Sequence, residues 1–99
     1  MEFYGVVAPS KEMTFMATVE QRVVDVTARV LRIDPSEIRP EQAFTTDLGA
    51  ESVQSIELVA MFEEEFGIEM DEDAALSVET VGGAAEYIGR VCLEQGVSV

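Results

Sequence analysis

The sequence holds no histidine, one lysine (Lys11) and one cysteine (Cys92) in 99 residues. Each shortage removes a class of chemistry. Without histidine there is no Ser-His-Asp or Cys-His pair, and the commonest zinc ligand is missing. One cysteine closes no internal disulfide. Basic charge is also scarce: six Lys and Arg stand against twenty Asp and Glu, for a net charge of -14. That balance argues against nucleic acid or an anionic membrane surface as partner and points to basic protein surfaces. No uninterrupted apolar run approaches the length that spans a bilayer, and the start lacks the basic and apolar pattern of a secretory signal. These features lead us to expect a cytoplasmic monomer without membrane insertion. At 47% hydrophobic residues, the chain can bury one modest core but cannot enclose a deep active site. Catalysis by this chain alone is not expected.

Along the chain, residues 1–16 show no sustained period and contain Gly5, Pro9 and Ser10, which reads as a loosely held extension. From Thr18 the pattern changes. Thr18-Val19-Glu20-Gln21 has the form of a capping box, and Val19, Val23, Val26 and Val30 follow at helical spacing. This predicts helix I, ending near Asp34-Pro35 because proline disfavours a helical residue before it. A long loop follows, with Ile38, Phe44 and Leu48 as its apolar anchors. Helix II is predicted from Ser52 to Phe66, a stretch without Gly or Pro in which Leu58, Phe62 and Phe66 form a core-facing stripe. Gly67 ends it. Asp71-Glu72-Asp73 and Ala74-Ala75-Leu76 predict a turn and a short helix III. Thr80 is a good N-cap for a last helix carrying Val81, Ala85, Ile88 and Cys92 on one face, although Gly82, Gly83 and Gly89 weaken it. The expected fold is all-α: a small four-helix bundle, three main helices plus the short third, with a long loop between the first two. The bundle spans residues 17–96, and 97–99 form a tail.

Ser52 is the residue around which function is to be sought. A serine opening a helix is ordinarily an N-cap. Its setting adds more: Gly49 lets the backbone approach closely, and Val53, Ile56 and Ala60 make a second apolar stripe on helix II, away from Leu58 and Phe62. That stripe meets helix III, something outside the fold, or both. A serine hydroxyl at the positive end of a helix dipole is well placed to carry a phosphodiester.

The ordered set Asp47-Leu48-Gly49-Ala50, Glu51-Ser52-Val53, Ile56-Glu57-Leu58, Glu63-Glu64-Glu65-Phe66, Gly67-Ile68-Glu69-Met70-Asp71, Thr80-Val81 and Tyr87-Ile88 resembles the acyl carrier protein family over roughly residues 18–96. The resemblance implies that Ser52 is the attachment point of a 4'-phosphopantetheine arm, installed from coenzyme A by a phosphopantetheinyl transferase. It further implies delivery of thioester-linked acyl groups to enzymes of fatty-acid, lipid or polyketide synthesis. Two departures stand beside the serine: Glu51 replaces the family's usual aspartate and Val53 its usual leucine. The missing catalytic groups agree, since serine is a poor nucleophile without a nearby base and suits the role of another enzyme's substrate. Cys92, on the apolar stripe of the last helix, reads as a small core residue.

Charge supports docking. Between Arg39 and Arg90 the sequence contains no Lys or Arg, while acidic residues crowd the interval. Glu51, Val53, Ile56, Glu57, Ala60, Glu63 and Glu64 are the expected partner-binding residues, the acids steering basic patches and the apolar groups giving short-range contact. The partners implied are the transferase, an acyl-loading ligase or synthase, ketosynthases and acyltransferases. Asp71-Glu72-Asp73 lacks the glycine and distal glutamate of an EF-hand loop, so no metal site is assigned. Two other readings are open from sequence: a peptidyl or aminoacyl carrier, and an acidic helical interaction module without a prosthetic group. The dense negative charge repels itself within a small fold. Raising ionic strength or adding divalent cations should therefore raise the melting temperature, and a melt insensitive to both would contradict this.

Overall fold

A computed structural model describes residues 11–97, with side chains from Phe15 onward. It contains α1 (Lys11–Leu31), a 3-10 turn (Pro35–Glu37), α2 (Ser52–Phe66), α3 (Glu72–Leu76) and α4 (Val81–Gln95). The protein is all-α, with four helices and one isolated bridge, Ala43 to Thr80, among the described residues. Helix α1 packs against both α2 and α4, and α3 lies against α2.

The core is built from the predicted stripes. Val19, Val23 and Val26 of α1, Leu58, Phe62 and Phe66 of α2, and Val81, Ala85, Ile88 and Cys92 of α4 are all buried. Each large side chain among them contributes about 1.5–3 kcal/mol by leaving water. Thr27 is fully buried too, and it satisfies its hydroxyl by donating to the Val23 carbonyl at 2.8 Å. Arg22 ties α1 to α2: its guanidinium meets the Glu65 carboxylate at 2.9 Å and lies 4.5 Å from the centre of the Phe66 ring.

Helix α1 differs from the sequence expectation at both ends. It begins by Lys11, so Thr18 is an interior residue, and residues 11–16 belong to the helix instead of a loose extension. The reason is packing, because Phe15 and Met16 lie beside Gly89 of α4. Residues 1–10 lie outside the described residues. The helix stops at Leu31, and Arg32 takes the left-handed conformation (φ 60°) while the Ile33 N–H donates back to the Ala28 carbonyl at 3.1 Å. Asp34 then caps the 3-10 turn by accepting from the Ser36 N–H and hydroxyl, bonds that hold its carboxyl below the usual carboxylate range.

The loop from residue 38 to 51 is anchored by Ile38 and Phe44, both buried, and by half-buried Leu48. It is also bonded to the amino end of α4. The Val81 N–H donates to the Gln42 carbonyl at 3.0 Å, the Gly82 N–H to the Pro40 carbonyl at 2.8 Å, and the Phe44 N–H to the Glu79 carbonyl at 2.9 Å. Thr80 caps α4 by accepting from the Gly83 N–H at 3.0 Å.

These contacts separate two glycines. A Cβ at position 82 would lie 3.1 Å from the Pro40 carbonyl oxygen, which cannot retreat without loosening the loop. A Cβ at position 89 would lie 3.2 Å from the sulfur of Met16, a flexible side chain. Gly82→Ala should destabilise by about 1–2 kcal/mol through overpacking. Gly89→Ala should be neutral or slightly stabilising, because the helix-propensity gain of up to about 1 kcal/mol offsets the adjustment of Met16. Chemical denaturation of both variants checks the difference.

Candidate functional site

The segment leading into α2 is held at several points. The Asp47 carboxylate accepts from the Ala43 N–H at 2.7 Å, and the Asp47 and Leu48 N–H groups donate to the Ala43 carbonyl. Gly49 turns the chain with φ 76°, a conformation that other residues adopt at a cost. Ala50 is buried, with its N–H donating to the Phe44 carbonyl at 2.8 Å. Helix α2 starts two residues later.

Ser52 is the first residue of that helix and is exposed. The cap is Glu51, whose N–H donates to Gln54 Oε1 at 2.9 Å. The ordinary capping role available to Ser52 in the sequence is thus filled by its neighbour. Its hydroxyl stands at the amino end of a 15-residue helix, where the first N–H groups and the helix dipole favour an anion.

The helix divides its faces. Val53 and Ile56 are 74% and 52% exposed, and Glu57, Ala60 and Glu64 share that outward face at spacings of three and four residues. Val53 and Ile56 leave half or more of their surface to solvent, so α3 does not cover the stripe as a whole. The glutamates differ among themselves. Glu65 pairs with Arg22 and, at 3.4 Å, with Arg29. Glu63 is half-buried and accepts from the Met70 N–H at 2.9 Å, which fixes the turn after α2. Glu57 and Glu64 face solvent.

Between α2, α3 and α4 lies a cavity of about 230 Å³, lined by Phe44, Val59, Phe62, Leu76, Tyr87 and Ile88 among others. Ser55 and Val59 line it from α2, on the strip of that helix that begins at Ser52. Side-chain volumes in the sequence did not reveal this space. Gln54 was also passed over, although Glu51-x-x-Gln54 carries a capping-box pattern in which a glutamate occupies the cap.

Comparison with known proteins agrees with the geometry. The phosphopantetheine attachment site family matches residues 21–88, more than half of the chain. Acyl carrier proteins from two strains of Porphyromonas gingivalis are each 40% identical over 75 residues, covering 76% of this chain and 96% of theirs. The structure of an acyl carrier protein from Enterococcus faecalis superposes with a TM-score of 0.65 at 30% identity, covering 77% of this chain and 96% of that one. A helical bundle with a phosphopantetheine attachment site defines a carrier domain. The chain belongs to the acyl carrier protein family, and is a carrier that enzymes act upon, not an enzyme itself. Interaction with a phosphopantetheinyl transferase and with enzymes of fatty-acid synthesis comes with that membership.

The residues present fit the prosthetic group: an exposed hydroxyl outside the cap, an unencumbered helix end and an apolar cavity on the same strip of helix. The other candidate nucleophile does not compete. Cys92 is fully buried, and desolvation raises its pKa by more than the field of Arg22 lowers it. The thiol therefore stays protonated and shielded at neutral pH. Alkylation of Cys92 should be slow in the native protein and become rapid in denaturant, as followed by intact mass.

Proposed function

We propose that Ser52 Oγ is the atom joined to 4'-phosphopantetheine, and that the chain delivers acyl groups to fatty-acid, lipid or polyketide synthesis. The observation that carries this reading is the exposed Ser52 hydroxyl at the first position of α2, freed from capping by Glu51 and Gln54. When bound, the group supplies a thiol that holds acyl chains as thioesters. The hydroxyl gives up its proton to a base on the transferase, because this chain has no histidine to take it.

Docking is assigned to the outward face of α2. Val53, Ile56 and Ala60 give apolar contact, Glu57 and Glu64 steer basic patches, and Glu51 stands beside the serine. Glu63 adds charge from the flank while one of its oxygens holds the Met70 N–H. The partners are a loading ligase or synthase, ketosynthases and acyltransferases, in the cytoplasm. The cavity accepts the acyl chain. A cavity of about 150 Å³ holds a six-carbon ring such as benzene, so one of about 230 Å³ suits a chain of medium length.

Incubation with coenzyme A and a broad-specificity transferase should add one phosphopantetheinyl group per chain, read by intact mass, and none to Ser52→Ala. A wild-type chain left bare beside a modified control carrier would refute the assignment. Glu57→Lys combined with Glu64→Lys should slow association with a basic partner roughly tenfold at low salt, the gap closing as salt is raised.

A further inference from the structure

A shallow groove lies between Arg29, Arg32, Gln54, Glu57 and Met61. Its two arginines share the lining with Glu57, and Arg29 also meets Glu65 at 3.4 Å, so two acids offset the two bases and no net charge selects a ligand there. One member of that groove has a role of its own. We infer that Gln54 is a positioning residue for the modification of Ser52, acting through the bond it makes to the Glu51 N–H. The inference rests on the assignment of Ser52 as the modified atom.

Ser52 sits between two fixed points. On its amino side, Ala50 is buried and its N–H is bonded to the Phe44 carbonyl at 2.8 Å. On its carboxyl side, Gln54 reaches back across the serine, and its Oε1 accepts from the Glu51 N–H at 2.9 Å. The Glu51 carbonyl meanwhile accepts from the Ser55 N–H at 2.8 Å, the first bond of the helix. Both backbone polar groups of Glu51 are thereby committed, and the Ser52 backbone is held in helical conformation from its first residue. Removing the Gln54 amide frees the Glu51 N–H to water and lets the first turn fray. Ser52 is then the residue whose hydroxyl loses its fixed direction. A group transfer that needs one oxygen aligned with a phosphorus atom is sensitive to such loss.

The position of Gln54 makes this separable from other effects. It is not among the residues lining the acyl cavity, and it is not part of the outward stripe of Val53, Ile56, Glu57, Ala60 and Glu64. Its side chain supplies none of the contacts assigned to docking or cargo, so the loss falls chiefly on kcat, with a smaller change in KM.

The test is steady-state modification of wild type, Gln54→Ala, Gln54→Glu and Ser52→Ala by one transferase with coenzyme A, with hydrogen exchange at the Glu51 amide in parallel. A lost helix cap shifts local order by about fivefold. Gln54→Ala should therefore show kcat reduced about fivefold with a smaller change in KM and a faster-exchanging Glu51 amide. Gln54→Glu keeps an acceptor at the same reach and should return both readouts to within about twofold of wild type. Wild-type kcat in Gln54→Ala, or equal slowing in Gln54→Ala and Gln54→Glu, overturns the inference while leaving Ser52 as the attachment point. A wild-type chain that stays bare would bring down both, and modification persisting in Ser52→Ala would move the site elsewhere.

Discussion

The place of Ser52 depends on how the amino end of α4 satisfies its hydrogen bonds. A helix opens with four N–H groups that have no partner within it. Here Val81 and Gly82 donate to the carbonyls of Gln42 and Pro40 and Gly83 donates to the Thr80 hydroxyl, before Ala84 makes the first helical bond to the Thr80 carbonyl. Two of the four are thus met by the loop that precedes α2. That loop, short of regular structure, becomes as fixed as the helix that holds it. Its Phe44 N–H returns a bond to Glu79, its Phe44 carbonyl takes the Ala50 N–H, and Ser52 follows two residues on. The orientation of Ser52 is therefore inherited in part from α4, which also lines the cavity with Ala84, Tyr87 and Ile88.

Charge is divided with similar economy along α2. Successive residues of a helix point about 100° apart, so Glu63, Glu64 and Glu65 face three directions. Glu65 closes on Arg22 and Arg29 and helps hold α1 to α2. Glu63 accepts the Met70 N–H and sets the turn toward α3. Glu64 is left to solvent with Glu57 about two turns earlier. A run of like charge that reads as one patch in the sequence serves three purposes in the fold.

Much of this was legible from periodicity and punctuation. Helix α2 has the bounds set by Ser52 and Gly67, Thr80 caps α4, and Val19, Val23 and Val26 of α1 lie in the core with Val30 partly buried beside them, because each rests on a local rule the tertiary structure did not override. The start of α1 was not legible, since its first turns are held by the fit of Phe15 and Met16 beside Gly89, some seventy residues away in sequence. The capping-box pattern at Thr18 was a false start for the same reason. The need for glycine at position 82 comes from the Pro40 carbonyl, another contact distant in sequence. At the site itself, serine's preference for the cap concealed that Glu51 and Gln54 had taken that place. The cavity was out of reach because it is a property of spacing between helices, not of any one of them.

The two flanks of α2 account for how one small helix could serve cargo and partners together. On one flank Val59 and Phe62 turn toward the cavity, and on the other Val53, Ile56 and Ala60 meet solvent. Stable protein interfaces bury about 800 Å² on each partner. A stripe of three modest side chains on a 15-residue helix supplies much less apolar contact than that. In the proposed docking role, affinity from such a face would be low, and the charge of Glu57 and Glu64 would act chiefly on the rate of encounter. A carrier that visits one enzyme after another requires this combination, because a tighter face would hold it at the first. Exposed Val53 and Ile56, costly in a helix that served only its own core, are of a size that would suit the brief and repeated contact proposed for them.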